Sequence, residues 1–186
     1  NYNKKWLLLI VLSIIWGSSF IFIKKGLAEL SPIHLGSLRI IFTAFVIIIF
    51  SYNSLIKIKK EKWKWIIITA YIGTFFPVYL VGFGQTQIDS GLASILTTLT
   101  PISTLVVGVF FFNLFFTRKQ VLGLVIGLIG GFLLLYEGSL NTDSNIYFAI
   151  FIVLTTIGYG TSVNLIKTYL TDIPPAAVTA GIFLSI

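Results

Sequence analysis

The sequence predicts an all-α, polytopic membrane protein that contains a repeated unit. Of its 186 residues, 56% are hydrophobic and 10% are charged, and the mean hydropathy is +0.99. Soluble domains have about 45–50% apolar and about 25% charged residues, so most of this chain must lie in lipid. The second observation is an internal repeat, because the pattern of residues 14–32 recurs at 157–175. Together these features indicate membrane helices arranged in repeated units.

The two copies of the repeat keep one order of side-chain types at a fixed offset of 143 positions. Each copy reads aromatic, glycine, two hydroxyl residues, lysine, acid and proline. The matched pairs are Trp16 with Tyr159, Gly17 with Gly160, Ser18 with Thr161, Ser19 with Ser162, Lys24 with Lys167, Glu29 with Asp172 and Pro32 with Pro175. Transporters assembled from two halves show this kind of internal similarity.

Lysine pairs and a proline delimit the first two predicted membrane helices. The first is the apolar run 6–23, which lysine pairs both precede and follow, unlike the cleavage site that follows a signal peptide. The second runs over 32–50, because proline suits the first turn of a helix. The basic linker after it contains Trp63 and Trp65, whose amphipathic rings favour the membrane interface.

The third and fourth predicted helices, 63–84 and 91–116, each contain an interior proline, Pro77 or Pro101. Such a proline frees a backbone carbonyl and kinks the helix. A bilayer tolerates this only where protein or a water-filled cavity satisfies the freed group. We therefore predict two kinked helices whose freed carbonyls meet protein or a water-filled cavity.

The fifth predicted helix, 121–138, carries Gly123, Gly127 and Gly131 at four-residue spacing. This spacing places the three glycines on one face, which allows close contact with another helix. The neighbour is either a helix of the same chain, which we favour, or the same helix of a second protomer in a homodimer.

The polar stretch 138–145 is the predicted boundary between two units, 1–140 and 145–186. A sixth helix is predicted over 146–166, and a seventh begins at Pro174 or Pro175. We expect the chain to be a fragment of a longer protein, because it contains no Met and stops inside an apolar run.

Lysine and arginine are distributed unequally between the two predicted membrane faces. Ten of these loop residues fall on the face of the amino terminus, and only Lys24 and Lys25 fall on the other. The positive-inside rule then places the amino terminus in the cytoplasm, and explains the net charge of +7 without a nucleic-acid partner. Five helices separate the two motif copies, so the copies enter the membrane from opposite sides. The repeat is therefore predicted to be inverted, an architecture that supports alternating access.

Catalytic and metal sites are disfavoured by the residues present. The chain has no cysteine, its six acids all fall in loops or at helix ends, and His34 stands alone. No P-loop pattern of glycines and lysine occurs, which argues against ATP-driven transport by this chain. We expect neither an enzyme activity nor a cofactor.

The ordered set of motifs resembles the EamA domain of the drug/metabolite transporter superfamily. The features are an aromatic–Gly–hydroxyl motif in the first helix, an arginine in the second, and the stretch 91–135 with its small-residue start, central proline, basic turn and glycine-rich fifth helix. One position departs, because Leu114 stands where the family usually has Glu, three residues before Thr117. The resemblance implies a five-helix inverted repeat, with one complete repeat and the start of the second from a ten-helix transporter.

Seven residues are candidates for substrate binding, because each places a polar or aromatic group inside a predicted helix. They are Trp16, Ser19, Arg39, Tyr79, Thr97, Tyr159 and Asn164. Trp16 and Tyr159 occupy matching positions and would face a shared cavity, or else pack around the neighbouring glycines. The hydroxyls and the amide would bind a ligand, or else bond their own backbone or a neighbouring helix.

Arg39 is the candidate with the clearest chemical preference. It lies seven residues into the second helix, which places its backbone roughly 10 Å below the membrane surface. A guanidinium left in lipid costs at least about 2.5 kcal/mol, so Arg39 should face the interior or snorkel to the surface. Its planar fork suits a carboxylate, which favours amino or organic acids over cationic drugs.

The leading hypothesis is a secondary transporter in the bacterial plasma (inner) membrane that exports small metabolites such as amino acids. The resemblance implies the substrate class, and the inverted repeat suggests alternating access. The competing hypothesis is a non-transporting structural or regulatory helix bundle in which the same residues only pack. In either case the lipid bilayer is a partner, and for the transporter so is a small-molecule substrate.

Overall fold

A computed structural model of the chain describes residues 2–56, 58–138 and 145–186, which fold almost entirely as helices. The α-helices in these ranges are α1 (Tyr2–Gly26), α2 (Pro32–Leu55), α3 (Lys60–Ala70), α4 (Phe76–Gln87), α5 (Ser90–Thr97), α6 (Thr100–Phe112), α7 (Arg118–Gly138), α8 (Ala149–Tyr169) and α9 (Pro175–Leu184). Within the same ranges, five helical segments are long and apolar enough to cross a membrane, which confirms the predicted all-α membrane architecture.

The predicted start of the second helix is confirmed. Pro32 occupies the first turn of α2, and the Ser31 hydroxyl caps this turn by accepting a 3.3 Å hydrogen bond from the backbone N–H of His34. The Ser31 hydroxyl also lies 3.0 Å from His34 Nδ1. His34 therefore belongs to a helix cap.

Both interior prolines coincide with an interruption of the regular α-helix. Pro77 lies in the first turn of α4, immediately after a π-helical turn at Tyr71–Phe75 that joins α3 to α4. Pro101 lies in the first turn of α6, where α5 has ended at Thr97. A proline lacks the N–H that would continue the ladder and its ring clashes with the preceding turn, so each helix is interrupted just before it.

The predicted end of the fourth helix at residue 116 is wrong, because α6 ends at Phe112. Asn113 adopts the left-handed conformation with φ 51° and ψ 35°. Its N–H bonds the carbonyl of Gly108, and the N–H of Leu114 bonds the same carbonyl at 2.9 Å. Asn113 therefore ends the helix as a left-handed cap, which asparagine tolerates better than most residues.

The centre of the bundle is α8, which lies among α3, α4, α5 and α6. Its glycines permit this approach. A Cβ on Gly160 would lie 2.6 Å from the Thr104 nitrogen, and one on Gly158 would lie 2.5 Å from the Ile72 oxygen. A side chain at either position would meet backbone atoms of another helix, so α8 packs closely only because these positions are glycine.

The glycines of α7 do not behave as predicted. A Cβ on Gly123 or Gly127 would meet no atom within 4 Å, and only Gly131 has a neighbour, the Thr98 hydroxyl at 3.2 Å. The expectation that all three pack against another helix of this chain is wrong in the described structure. The glycine spacing predicts which face of α7 another helix can approach closely. It does not predict whether this chain places a helix there.

The two motif copies end at opposite ends of the rod formed by α3, the π turn and α4. In the second half of the first copy, Lys24 contacts Gln85 and Ile88 at the end of α4. In the second half of the second copy, Asp172 contacts Lys62 at the start of α3. Positions 62 and 85 are separated by roughly 35 Å of helix, so the two copies run in opposite directions. This geometry agrees with an inverted repeat.

The predicted boundary at 138–145 lies mostly outside the described residues, which resume at Asn145. The division into units 1–140 and 145–186 therefore stays a prediction. What the structure adds is that α8 packs inside the first unit and that α9 packs along α2. Helices of the second unit thus share their core with the first.

Candidate functional site

Arg39 and Tyr159 are brought near each other, although they come from α2 and α8. Both side chains are partly buried, and the guanidinium and the phenol lie close enough to interact electrostatically. No described carboxylate pairs with Arg39, since the ion pair found in the described ranges joins Lys62 to Asp172. A permanently charged group thus lies inside a membrane helix, within electrostatic range of a phenol and with no acidic partner among the described residues.

A second polar contact lies on the same segment of α2. The hydroxyls of Ser37 and Tyr79 are 3.0 Å apart and link α2 to α4. Gly36 makes this approach possible, because a Cβ there would lie 2.8 Å from the Tyr79 ring. The candidate Tyr79 is therefore held against α2, two residues before Arg39. This placement gives α2 a hydrogen bond to α4 two residues before Arg39, whose guanidinium interacts electrostatically with Tyr159 of α8.

Asn164, a candidate for substrate binding, forms hydrogen bonds between two helices. Its amide nitrogen donates hydrogen bonds to the carbonyls of Thr104 at 2.8 Å and Gly160 at 2.9 Å, which joins α8 to α6. Its Oδ1 is buried without a described hydrogen-bond partner and faces Gly108. The donor side of this amide is committed to helix packing, and only the oxygen is free to accept a hydrogen bond.

Three candidates do not join this arrangement. Trp16 is 66% exposed on α1, and the described structure shows no contact between it and the other candidates. Ser19 is partly buried on the same helix. The Thr97 hydroxyl donates to the Ser94 carbonyl at 2.6 Å, inside α5, as membrane-helix hydroxyls often do. The shared cavity expected between Trp16 and Tyr159 is therefore not formed by the described residues.

Lys24, which the sequence analysis used as part of the repeat and as a loop charge, also binds the carboxyl end of α4. Lys24 Nζ donates to the carbonyls of Gln85 at 2.7 Å and Ile88 at 2.9 Å, at the carboxyl end of α4. The buried Gln85 returns a hydrogen bond from its Nε2 to the Phe20 carbonyl at 3.1 Å. A cation at this position satisfies the last carbonyls of a helix and complements its dipole. The available signal was that Lys24 lies on the face where the positive-inside rule predicts few lysines.

A further link between α6 and α8 also escaped the sequence interpretation. The hydroxyls of Ser103 and Thr156 are 3.0 Å apart, and Thr156 is fully buried. Together with Asn164, this pair connects α8 to α6 at two positions along the helix. Hydroxyl residues are common in membrane helices, so nothing in the sequence distinguished these two from the others.

Comparison with known proteins identifies the family. Residues 4–136 match the model of the EamA-like transporter family. The chain is 31% identical over 184 residues to an uncharacterized transporter of Archaeoglobus fulgidus, covering 96% of this chain and 63% of that protein. None of the solved structures matches with comparable significance.

Two other relatives carry a more specific description. The chain is 31% identical over 140 residues to a probable amino-acid metabolite efflux pump of Salmonella typhimurium, and 28% identical over 139 residues to the protein of the same name in Escherichia coli. Each alignment covers 75% of this chain and 45% of the pump, so the chain spans about half the length of these relatives. The match to the family model covers residues 4–136, most of the predicted first unit 1–140. The chain therefore belongs to the EamA-like transporter family, within the drug/metabolite transporter superfamily.

Proposed function

We propose that this protein is part of a secondary transporter that exports small metabolites carrying a carboxylate, such as amino acids, by alternating access. The observation that carries the substrate class is Arg39, a charged side chain inside α2 that has no described acidic partner. The names of the Salmonella and Escherichia relatives support the same class. The distribution of lysines supports a cytoplasmic amino terminus, and we place the protein in a bacterial inner membrane.

Electrostatics explain why Arg39 suits a carboxylate. An arginine at this depth is stabilised only by polar neighbours, water or an anion. Tyr159 supplies a neutral hydroxyl, which cannot neutralise the guanidinium. A substrate carboxylate would accept two parallel hydrogen bonds from the fork, and the Tyr159 phenol, which interacts electrostatically with Arg39, would face the same ligand.

The arrangement of the helices supports coupling between this site and movement. Arg39 lies on α2, and Tyr159 lies on α8, which the second copy of the motif builds. A ligand held by both would contact helices from the two predicted units. Relative movement of the units would then change the site, which is the condition for alternating access.

The test is transport of a labelled amino-acid panel by the intact protein in reconstituted vesicles. Arg39→Lys should lower transport of the carboxylate substrate about tenfold or more, because a point charge replaces a bidentate fork. Arg39→Leu should abolish it while thermal stability stays similar or rises, because a partly buried charge is removed.

Arg118→Leu is the matched control, because Arg118 is an exposed arginine at the start of α7. It should leave transport unchanged. Normal carboxylate transport by Arg39→Leu would overturn the assignment. Transport of none of the panel by the unaltered protein would favour a different substrate class.

A further inference from the structure

A cavity of about 300 Å³ lies at the end of the bundle where α2 ends and α3 and α9 begin. Its polar lining comes from Ser54, Lys59, Lys62 and Asp172, and its apolar lining from Ile58, Ile173 and Pro174. None of the seven substrate candidates lines it. The cavity is therefore separate from the site around Arg39.

One of its two lysines is already balanced by an acid. Lys62 Nζ donates to Asp172 Oδ1 at 2.7 Å and to the Tyr169 carbonyl at 2.7 Å. The hydrogen bond from Lys62 lowers the pKa of Asp172 below its usual value, so this carboxylate is ionised near neutral pH. Lys62 and Asp172 together contribute no net charge to the cavity. Their contact joins α3 to the segment between α8 and α9.

Lys59 supplies the excess positive charge. Its side chain is exposed, and it forms no ion pair in the described parts of the chain. The first two turns of α3 add Lys60 and Lys64 against the single acid Glu61. The cavity and its rim therefore form a positively charged recess in which Lys59 is available to an anion.

The surroundings place this recess at the membrane surface. The segment from Lys60 to Gln87 is long enough to cross a membrane, and it begins beside the cavity. In its first two turns Trp65 stacks on Tyr169, with ring centres 3.6 Å apart and planes 2° apart. Tryptophan and tyrosine rings prefer the depth of the lipid headgroups. A basic recess between helices at this depth is the kind of site that binds anionic lipid headgroups.

We propose that this cavity binds the phosphate group of an anionic phospholipid. The Lys59 ammonium and the Ser54 hydroxyl donate hydrogen bonds to the phosphate oxygens, and Lys62 provides a second positive charge. A lipid held there would tie the end of α2 to the segment between α8 and α9. This inference does not depend on what the protein transports.

The experiment compares the intact protein in phosphatidylcholine nanodiscs with and without added phosphatidylglycerol, and with inorganic phosphate added instead. Lipid that stays bound after purification is counted by native mass spectrometry, and thermal unfolding is followed in parallel. Phosphatidylglycerol should be retained and should raise the unfolding temperature. Lys59→Gln should lower its retention about fivefold, the effect of one lysine near a membrane surface.

Lys119→Gln is the matched control, because Lys119 is exposed at the start of α7 and does not line the cavity. Both variants lose one positive charge, so a purely diffuse attraction would weaken equally in the two. Equal loss of phosphatidylglycerol in both variants would overturn the proposal. Equal stabilisation by inorganic phosphate in neutral lipid would overturn the assignment to a lipid, and would assign the cavity to a soluble phosphate.

Discussion

The two copies of the repeated motif have similar sequences and very different surroundings. In α8, Gly160 lies against the backbone of α6, and Tyr159 is partly buried near Arg39. In α1, a Cβ on Gly17 would meet no atom within 4 Å, and Trp16 is 66% exposed. The motif therefore specifies a helix that can be approached closely. Which helix approaches it depends on the rest of the chain.

The difference follows from which neighbours the chain provides. The helix α8 is surrounded by α3, α4, α5 and α6, whereas α1 contacts α4 and α5 near its carboxyl end. The chain spans 63% of the archaeal relative and 45% of each efflux pump. If the repeat is inverted, α1 would be covered in such longer proteins by counterparts of the helices that cover α8.

Membrane topology should give the largest difference between the two copies. Matching positions should be accessible from opposite sides of the membrane. Ala28 and Thr171 occupy the same position in the two copies, both are exposed, and the chain has no cysteine of its own. Ala28→Cys should react with an impermeant thiol reagent from outside the cell. Thr171→Cys should react only after the membrane is permeabilised.

Cys-free protein is the control for background labelling. Labelling of both positions from one side would contradict the inverted repeat, and would leave the similarity between the copies as a matter of sequence alone.

The next effect is on stability. Gly160→Leu should destabilise the protein by about 3 kcal/mol or more, because the first added carbon would meet the backbone of Thr104 at 2.6 Å. Gly17→Leu should change the unfolding temperature little in this chain. Thermal unfolding in detergent, with folded yield, measures both.

Equal destabilisation by the two substitutions would show that the face of α1 around Gly17 is covered in the protein as purified. Native mass spectrometry would then count the protomers in the purified particle and reveal whether a second protomer covers this face.

The smallest effect concerns the matched acids of the two copies, Glu29 and Asp172. The hydrogen bond from Lys62 lowers the pKa of Asp172, so the contribution of this pair to stability is present above the unfolded pKa of about 3.9. It is lost as the pH falls further, through the lower folded value. Asp172→Asn should therefore reduce the loss of unfolding temperature between neutral pH and pH values below about 4.

Glu29→Gln provides the comparison from the first copy, because Glu29 is exposed and forms no ion pair within the described ranges. It should leave the acid dependence of unfolding unchanged. An identical change in both variants would show that the Lys62 contact is irrelevant to the acid dependence.

Local features of the fold were predictable because they depend on short-range chemistry. Pro32 begins α2, and Pro77 and Pro101 interrupt helices, since proline lacks an N–H and has a fixed φ. The early end of α6 was missed, because the left-handed cap at Asn113 competes with an apolar run that continues to residue 116. Only the terminal geometry distinguishes the two outcomes.

The candidate site was predictable only in part. Arg39 stood out because a charge inside an apolar helix is costly, and Tyr159 stood out because it repeats Trp16. Their proximity depends on how α8 packs, which no residue pattern fixes. Asn164 illustrates the converse, since a polar residue in a membrane helix is equally suited to a ligand and to the carbonyl of Thr104.

The hydrogen bonds of Lys24 have a mechanical consequence for α1. They attach this helix to α4 at its carboxyl end, while residues 5–17 are exposed along their whole length. Within this chain α1 is thus a rod held at one end, with Gln85 and Ile88 as its fulcrum. A rod of about 37 Å that tilts by about 10° moves its free end by about 6 Å. The amino-terminal end of α1 is therefore the part of this helix on which a small rotation at the fulcrum has the greatest effect.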